Sequence, residues 1–314
     1  MKISFTKFFL IILIIVLWRI NMQYEIFTFN FPKGSKKMDC CFRLMAYNIN
    51  ASLGSEDANL VKNVIINELE YNKPDILCIQ DLSQVVYKKI QSPLDSLFNY
   101  TDSLEIQKEN YRYWIYSKKP IRNFNYYKCI TEIDTVQYNN WPMNEVKILT
   151  NKMPIYSAEI EVMPDRWITV FACHLRSSAY STARRSMDKD ASWFDGLPLY
   201  YENYKKGKII RNWEADNIRL YLDTLELEDK PIIIAGDFND WSGSYCMNTI
   251  RDGKYKDAWW EGGLGFGITY DGWHLKLRLD HILYSHHFKL ENVYVEKSKF
   301  SDHRPLVADF TLLP

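Results

Sequence analysis

Six apolar runs of this chain end in, contain or lead into side chains suited to phosphate chemistry. Asn48 closes LMAYN, Asp81 closes ILCIQD and His174 closes VFACH. Asp237 and Asn239 end IIIAGDFN, Asp280 follows Leu279 in RLDHIL, and Asp302 and His303 stand directly before RPLVADF. A polar group at the end of a buried strand is costly unless it pairs or binds something. One such residue reads as a turn or a cap. The same pattern at six places, always with Asp, Asn or His, reads as a site. Hard divalent cations such as Mg2+ and Mn2+ take oxygen ligands; Asp81, Asp237 and Asp302 supply carboxylates, and Asn48 and Asn239 supply amide oxygens. Histidines with nearby acids supply acid or base groups near neutral pH. Asp237 and Asn239 are two residues apart, so in an extended backbone they point the same way and reach one phosphate. A cation and a histidine at phosphorus together mean charge neutralisation and an activated water. Arg176, two residues after His174, is a candidate phosphate contact.

These groups need elements to position them. FRLMAYNIN reads as a strand. Residues 57–70 read as a helix with Leu60, Val61, Val64, Ile65 and Leu69 on one face, Asp57 as its N-cap and Asn72-Lys73-Pro74 as its stop. DILCIQD and PIIIAGDFND are continuous apolar runs of the kind buried on both faces. RYWIYSKKPI, KCITEID, VKILTNK, IYSAEIEV and RWITVFACHL are β-rich and broken by short turns. One helix is expected between Arg176 and Lys230, at about Lys208 to Leu225. LRLDHILYS and RPLVADFTLL close the chain. Two packed sheets covered by helices on the outside would bury all these runs. His274, His281, His286 and His287 read as surface or structural residues, and strand alternation turns His281 away from its neighbour Asp280. Arg184 and Arg185 read as a solvated loop, and Trp259 and Trp260 as core packing.

The 314 residues are 47% apolar and 25% charged, close to the globular average and enough for a sizeable core. Lysine plus arginine equals aspartate plus glutamate, 39 against 39, so no global basic field draws the protein to nucleic acid or acidic lipid. Cys78 and Cys173 lie in apolar runs and read as small hydrophobes, and no Cys/His spacing suggests structural zinc. At the N-terminus, Lys2 and Lys7 precede the apolar run Phe8 to Trp18, and Arg19 follows. That is the pattern of a signal-peptide core. It is short for a membrane span, and the absence of a small-x-small cleavage site favours an uncleaved anchor. Residues 1–30 thus read as a signal peptide or N-terminal membrane anchor, 31–40 as a linker, and 41–314 as one folded domain. The expected location is outside the cytoplasm: exported and membrane-anchored, or secreted or periplasmic.

Taken in order, YNIN around Asn48, DILCIQD around Asp81, ACHL around His174, GDFND around Asp237, RLDHIL around Asp280 and SDHRPL around His303 resemble the endonuclease/exonuclease/phosphatase superfamily. That group includes pancreatic-type deoxyribonucleases, apurinic-site endonucleases, inositol polyphosphate phosphatases and bacterial sphingomyelinases. The resemblance covers Phe42 to Leu312, and GGLGFGITYDGWHLKLRLDHIL is similar to a glycine-rich loop of exported bacterial members. It implies a four-layer α/β sandwich, two packed mixed β-sheets flanked by helices, with the site at one edge of the sheets. It implies a Mg2+- or Mn2+-dependent hydrolase of phosphate esters. Carried over residue by residue, Asn48 and Asp81 help bind the metal, with Asp302 near it. Asp237 orients or deprotonates the attacking water, and Asn239 holds the phosphate. His303 contacts the scissile phosphate, oriented by Asp280, and His174 steadies the transition state or the leaving oxygen. One departure stands out: the family usually has glutamate where this chain has Asp81, one methylene shorter.

The expected partners are a phosphate-ester substrate and, through the N-terminal segment, a membrane; no protein partner is expected. The substrate reading is open between nucleic acid and small or lipid phosphates. A different class, a catalytically silent surface-binding protein on the same fold, is the alternative.

Overall fold

The computed structural model describes residues 5–30, 41–50, 58–103, 111–127, 155–178, 193–225, 227, 229–272, 275–298 and 301–314. KCITEID, VKILTNK, Asp57, the linker 31–40, Arg184, Arg185 and His274 lie outside the described residues.

Two six-stranded sheets form the body. The first runs in the order Phe288–Val295, Leu306–Leu312, Phe42–Asn48, Ile76–Ser83, Tyr111–Ser117, Tyr100–Ser103. The second runs Lys256–Asp257, Asp280–Tyr284, Ile232–Asp237, Arg166–His174, Ile155–Met163, Ile121–Tyr127. Each sheet is mixed. Phe42–Asn48 lies parallel to Ile76–Ser83, and Arg166–His174 lies parallel to Ile232–Asp237.

Strand alternation sorts the side chains into layers. Leu44, Ala46, Cys78, Val170, Ala172, Ile233, Ala235 and Ile282 fill the space between the two sheets. The opposite face of the first sheet, with Met45, Leu77 and Ile79, packs against Ile65 and Leu69 of the helix Ala58–Asn72 and Val86, Ile90 and Leu94 of the helix Gln84–Leu97. The opposite face of the second, with Phe171, Ile234 and Leu283, packs against Ala215, Ile218 and Leu222 of the helix Trp193–Thr224 and Met247 and Ile250 of Tyr245–Arg251. The result is the expected four-layer sandwich of helices, sheet, sheet and helices.

The helix expected from about Lys208 begins at Trp193 instead. Pro198 and Gly207 hide its first half in the sequence. Gly207 is tolerated because a Cβ there would stand 2.8 Å from the Arg211 guanidinium and 2.9 Å from the Ser178 hydroxyl, so a close packing contact offsets its weak helix propensity.

One buried ion pair fastens the first sheet to its helices. Arg43 bonds Asp309 at 2.6 and 2.8 Å and donates to the Asn72 carbonyl at 2.7 Å, the last residue of its helix. Burial opposes the charge on Arg43, but the Asp309 carboxylate beside it outweighs that and raises its pKa. Arg43→Ala leaves Asp309 buried and unpaired and is expected to cost about 3–5 kcal/mol in a denaturant titration. A loss below about 1 kcal/mol, the scale of exposed pairs, would mean that the pair does not hold the layers together.

At the N-terminus a helix spans Phe5–Tyr24. Among the described residues no helix is long and apolar enough to cross a membrane, so the anchor expected over residues 1–30 finds no support there. The physical reason is the length of the unbroken apolar run, Phe8 to Trp18. At about 1.5 Å per residue it reaches roughly 16 Å, about half a bilayer core. Lys7, Arg19, Asn21 and Gln23 interrupt any longer stretch.

Candidate active site

The alternation that builds the central core also aims the site. On Phe42–Asn48, Leu44 and Ala46 face the other sheet, so Asn48 shares their side. On Arg166–His174, Val170 and Ala172 do the same, which puts His174 there. Ile233 and Ala235 set the side of Asp237, and Ile282 and Tyr284 set that of Asp280. Registers complete the alignment: His174 stands opposite Asp237, and Asp237 stands opposite Asp280. Three chemical groups thus lie side by side at the inner rim of one sheet, facing Asn48 on the other.

Asp81 breaks this rule. Its parity matches Leu77 and Ile79, which face the outer helices. A register shift between Ile79 and Leu82 and a backbone φ of 53° at Asp81 redirect it to the cleft, as bulges beside active sites commonly do. Its side chain keeps 28% of its surface exposed. Gln80, whose parity points inward, is fully buried.

His303 enters from the loop before Leu306–Leu312. Three contacts suture that loop to the opposite sheet: Tyr270 bridges His303, Arg304 N donates to the Thr269 carbonyl at 2.6 Å, and the Thr269 hydroxyl accepts the Asp280 N–H at 2.9 Å. His303 Nδ1 meets Asp280 Oδ2 at 2.8 Å, and Nε2 lies 3.8 Å from Asp237 Oδ2. Burial opposes the charged imidazole; Asp280, Asp237 and Asp302 outweigh it and push His303 up to about 10. For Asp237, burial raises the pKa, and His303 and His174 pull against it. Asp237 accepts from Asn48 Nδ2 at 2.9 Å, and from the backbone N–H and Nδ2 of Asn239 at 2.8 and 3.0 Å. His174 lies between the acids, with Nδ1 3.5 Å from Asp81 and Nε2 3.6 Å from Asp237. Asp302 accepts from Asn50 at 2.6 Å.

The cleft is lined by Asn48, Asn50, Asp81, His174, Ser177, Asp237, Asn239, Tyr270, Leu279, Asp302 and His303. Eight of the nine residues singled out by sequence gather at this site, Asp280 as the partner of His303. Arg176 is not among the lining residues; its N–H donates to Glu214 and its carbonyl accepts from Arg211. Asn50, Ser177 and Tyr270 were not singled out. Asn50 carried a signal, since it stands two residues after Asn48, the same spacing as Asp237 and Asn239. His281 faces away from Asp280, as alternation requires, and bonds Asp257 and the Asp240 carbonyl.

The donor set suits a hard cation. Asp81 and Asp237 both face the Asn48 amide, at 3.3 and 2.9 Å; turning that amide over presents its oxygen instead, at the cost of the bond its Oδ1 accepts from the Asn50 N–H at 2.9 Å. Asp237, Asp280 and His303 also offer ligand atoms within 4.8 Å of one another.

Fold and cleft define the class: a two-sheet sandwich with a carboxylate, amide and histidine site at the sheet edge, of the phosphoester-hydrolase kind. Residues 45–303 match the Endonuclease/Exonuclease/phosphatase family, and the chain belongs to it. No curated protein matches by sequence. Solved structures match across most of the chain. TDP2 from Caenorhabditis elegans is 16% identical over 86% of this chain and 74% of that one, with a TM-score of 0.59. The human Nocturnin catalytic domain with bound sulfate is 17% identical over 90% and 99%, TM-score 0.59. ANGEL2, a 2',3'-cyclic phosphatase, in complex with adenosine-2',3'-vanadate, is 15% identical over 88% and 97%, TM-score 0.59. At these identities the likeness is one of fold.

Proposed function

We propose that this protein is a Mg2+- or Mn2+-dependent hydrolase of phosphate esters, with water as the attacking group. The observation that carries the reading is the convergence, from both sheets, of the Asp280–His303 pair, the buried Asp237 and the Asp81–Asn48 pair in one cleft. Asn48 and Asp81 would hold the cation, with Asp302 beside it; when bound, the ion neutralises phosphate charge and favours ionised water. Asp237, held by Asn48 and Asn239, orients the water and takes its proton. Asn239 binds a phosphate oxygen. His303, kept protonated by Asp280, donates from Nε2 to the scissile phosphate as charge builds. His174 steadies the transition state or the leaving oxygen. The intact set argues against the silent binding protein.

The shorter Asp81 bears on the cation. Asp81→Glu restores one methylene of reach and is expected to tighten Mg2+ binding about tenfold in a calorimetric titration, the scale on which ligand adjustments act. Unchanged affinity would place the cation on other residues.

We further infer an exported protein of the bacterial type. The supporting feature is the apolar N-terminal helix, whose side chains from Leu13 to Trp18 are all exposed and would need apolar cover. Separation of soluble and membrane fractions tests this, and a purely cytoplasmic protein would contradict it. For the substrate, the full chain with Mg2+ or Mn2+ is assayed on plasmid DNA, a chromogenic phosphodiester, inositol phosphates and sphingomyelin. DNA cleavage selects the nuclease reading, and turnover of the others selects the small- or lipid-phosphate reading. Folded, metal-loaded protein inert on every substrate would count against hydrolysis.

A further inference from the structure

Outside the cleft, a chain of buried and half-buried polar groups runs from the N-terminal segment to the active-site turn. Glu25, just past the helix Phe5–Tyr24, has φ 49°, an uncommon conformation for a residue with a side chain, which persists only where its surroundings hold it. Arg251 Nη1 holds both Glu25 carboxylate oxygens at 2.7 and 2.8 Å. Arg278 Nη2 donates to the Glu25 carbonyl at 2.8 Å. The next residues are docked as well. Thr28 donates to the Gly263 carbonyl at 2.7 Å, and Thr28–Phe29 pairs with Leu264–Gly265. Arg278 continues inward: it donates to the Ser242 hydroxyl and stands 3.9 Å from Asp257.

Asp257 Oδ2 meets His281 Nδ1 at 2.8 Å, and His281 Nε2 meets the Asp240 carbonyl at 3.1 Å. A carboxylate and a carbonyl can only accept, so each ring nitrogen of His281 faces an acceptor. Although burial opposes its charge, Arg278 and His281 hold the Asp257 carboxyl well below the usual carboxylate range. Asp240 is the neighbour of Asn239, and its own carboxylate accepts from Arg211 Nε at 3.2 Å.

We propose that Glu25, Arg278 and His281 are positioning residues, through which the docked segment Glu25–Asn30 fixes the Asp240 carbonyl and with it the turn carrying Asp237 and Asn239. The segment before the linker is thus a working part of the catalytic unit. The inference rests on the hydrolase reading of the cleft.

A double-mutant cycle on the full chain tests it, with Mg2+ and a chromogenic phosphodiester, alongside proton NMR of the His281 ring. Glu25→Gln and His281→Gln each lower kcat about tenfold at unchanged KM, the kind of loss that small misplacement brings. The double variant falls no lower than the weaker single, Glu25→Asp recovers part of the rate, and Glu25→Gln shifts the His281 ring protons. Glu159→Gln, which removes an exposed ion pair with Arg122, changes neither readout. Wild-type kcat with unmoved ring protons in Glu25→Gln overturns the proposal, as do losses that multiply in the double variant. If Glu25→Gln does not fold, Glu25→Asp carries the same comparison. A folded wild type without turnover sinks the hydrolase reading instead, and the His281 protons then decide the coupling alone.

Discussion

Asp237→Asn lowers kcat by about 10³-fold or more, the scale of removing a base and a charge from a closed site. Asp237 is the hub of the cleft. It accepts from Asn48 and Asn239 and stands within 4 Å of both His174 and His303. The amide keeps the shape and can still accept one of those bonds, but it can neither take a proton from water nor offset a cation. Stability moves the other way. Burial holds the Asp237 pKa above its ordinary value, so the ionised form is disfavoured in the fold above that value. In EDTA, where no cation compensates, Asp237→Asn is expected to melt at the same temperature as wild type or higher. This is the exchange of stability for activity expected at a site built for chemistry. A kcat within tenfold of wild type would remove Asp237 from the mechanism.

Asp280→Asn is expected to lower kcat at pH 8 by about 10²- to 10⁴-fold, since it removes the charge that orients and protonates the histidine. His303 owes its raised pKa, about 10 against an ordinary 6.5, to Asp280, Asp237 and Asp302 acting against burial. The sign follows from the direction. A histidine whose folded value is raised stabilises the fold fully below its unfolded value, and that contribution is lost as pH rises through about 10. Activity that needs the imidazolium falls over the same alkaline range. Without the Asp280 charge the alkaline limb of kcat/KM moves toward neutrality. A limb that stays where wild type has it would mean that His303 acts in its neutral form.

Much of this site was legible because period-two alternation is a strong rule. Asn48, His174, Asp237 and Asp280 each continue the inward face of a buried strand, and reading apolar runs to their ends finds them. His281 was placed correctly by the same rule. Asp81 was found by residue type and resemblance, while its position depends on a bulge and a positive φ that the sequence does not announce. The strand ends at His174, so alternation does not place Arg176 on either face; Ser177 lines the cleft and Arg176 does not. Tyr270 opens the three-residue strand Tyr270–Gly272, too short for a period to point anywhere. The helix Gln84–Leu97 escaped because Pro93 interrupts it. The docking of Thr28–Phe29 escaped because two residues carry too little pattern to predict a strand across 235 positions.

The most direct test of the central claim is hydrolysis of a phosphate diester by the full chain in heavy-oxygen water, with Mg2+ or Mn2+ present. The account predicts one heavy oxygen in the phosphate product and none in the released alcohol, with turnover abolished by EDTA, Asp237→Asn and His303→Ala. Heavy oxygen in the alcohol, or turnover that survives EDTA and both substitutions, would contradict a cation-assisted attack of water on phosphorus in this cleft.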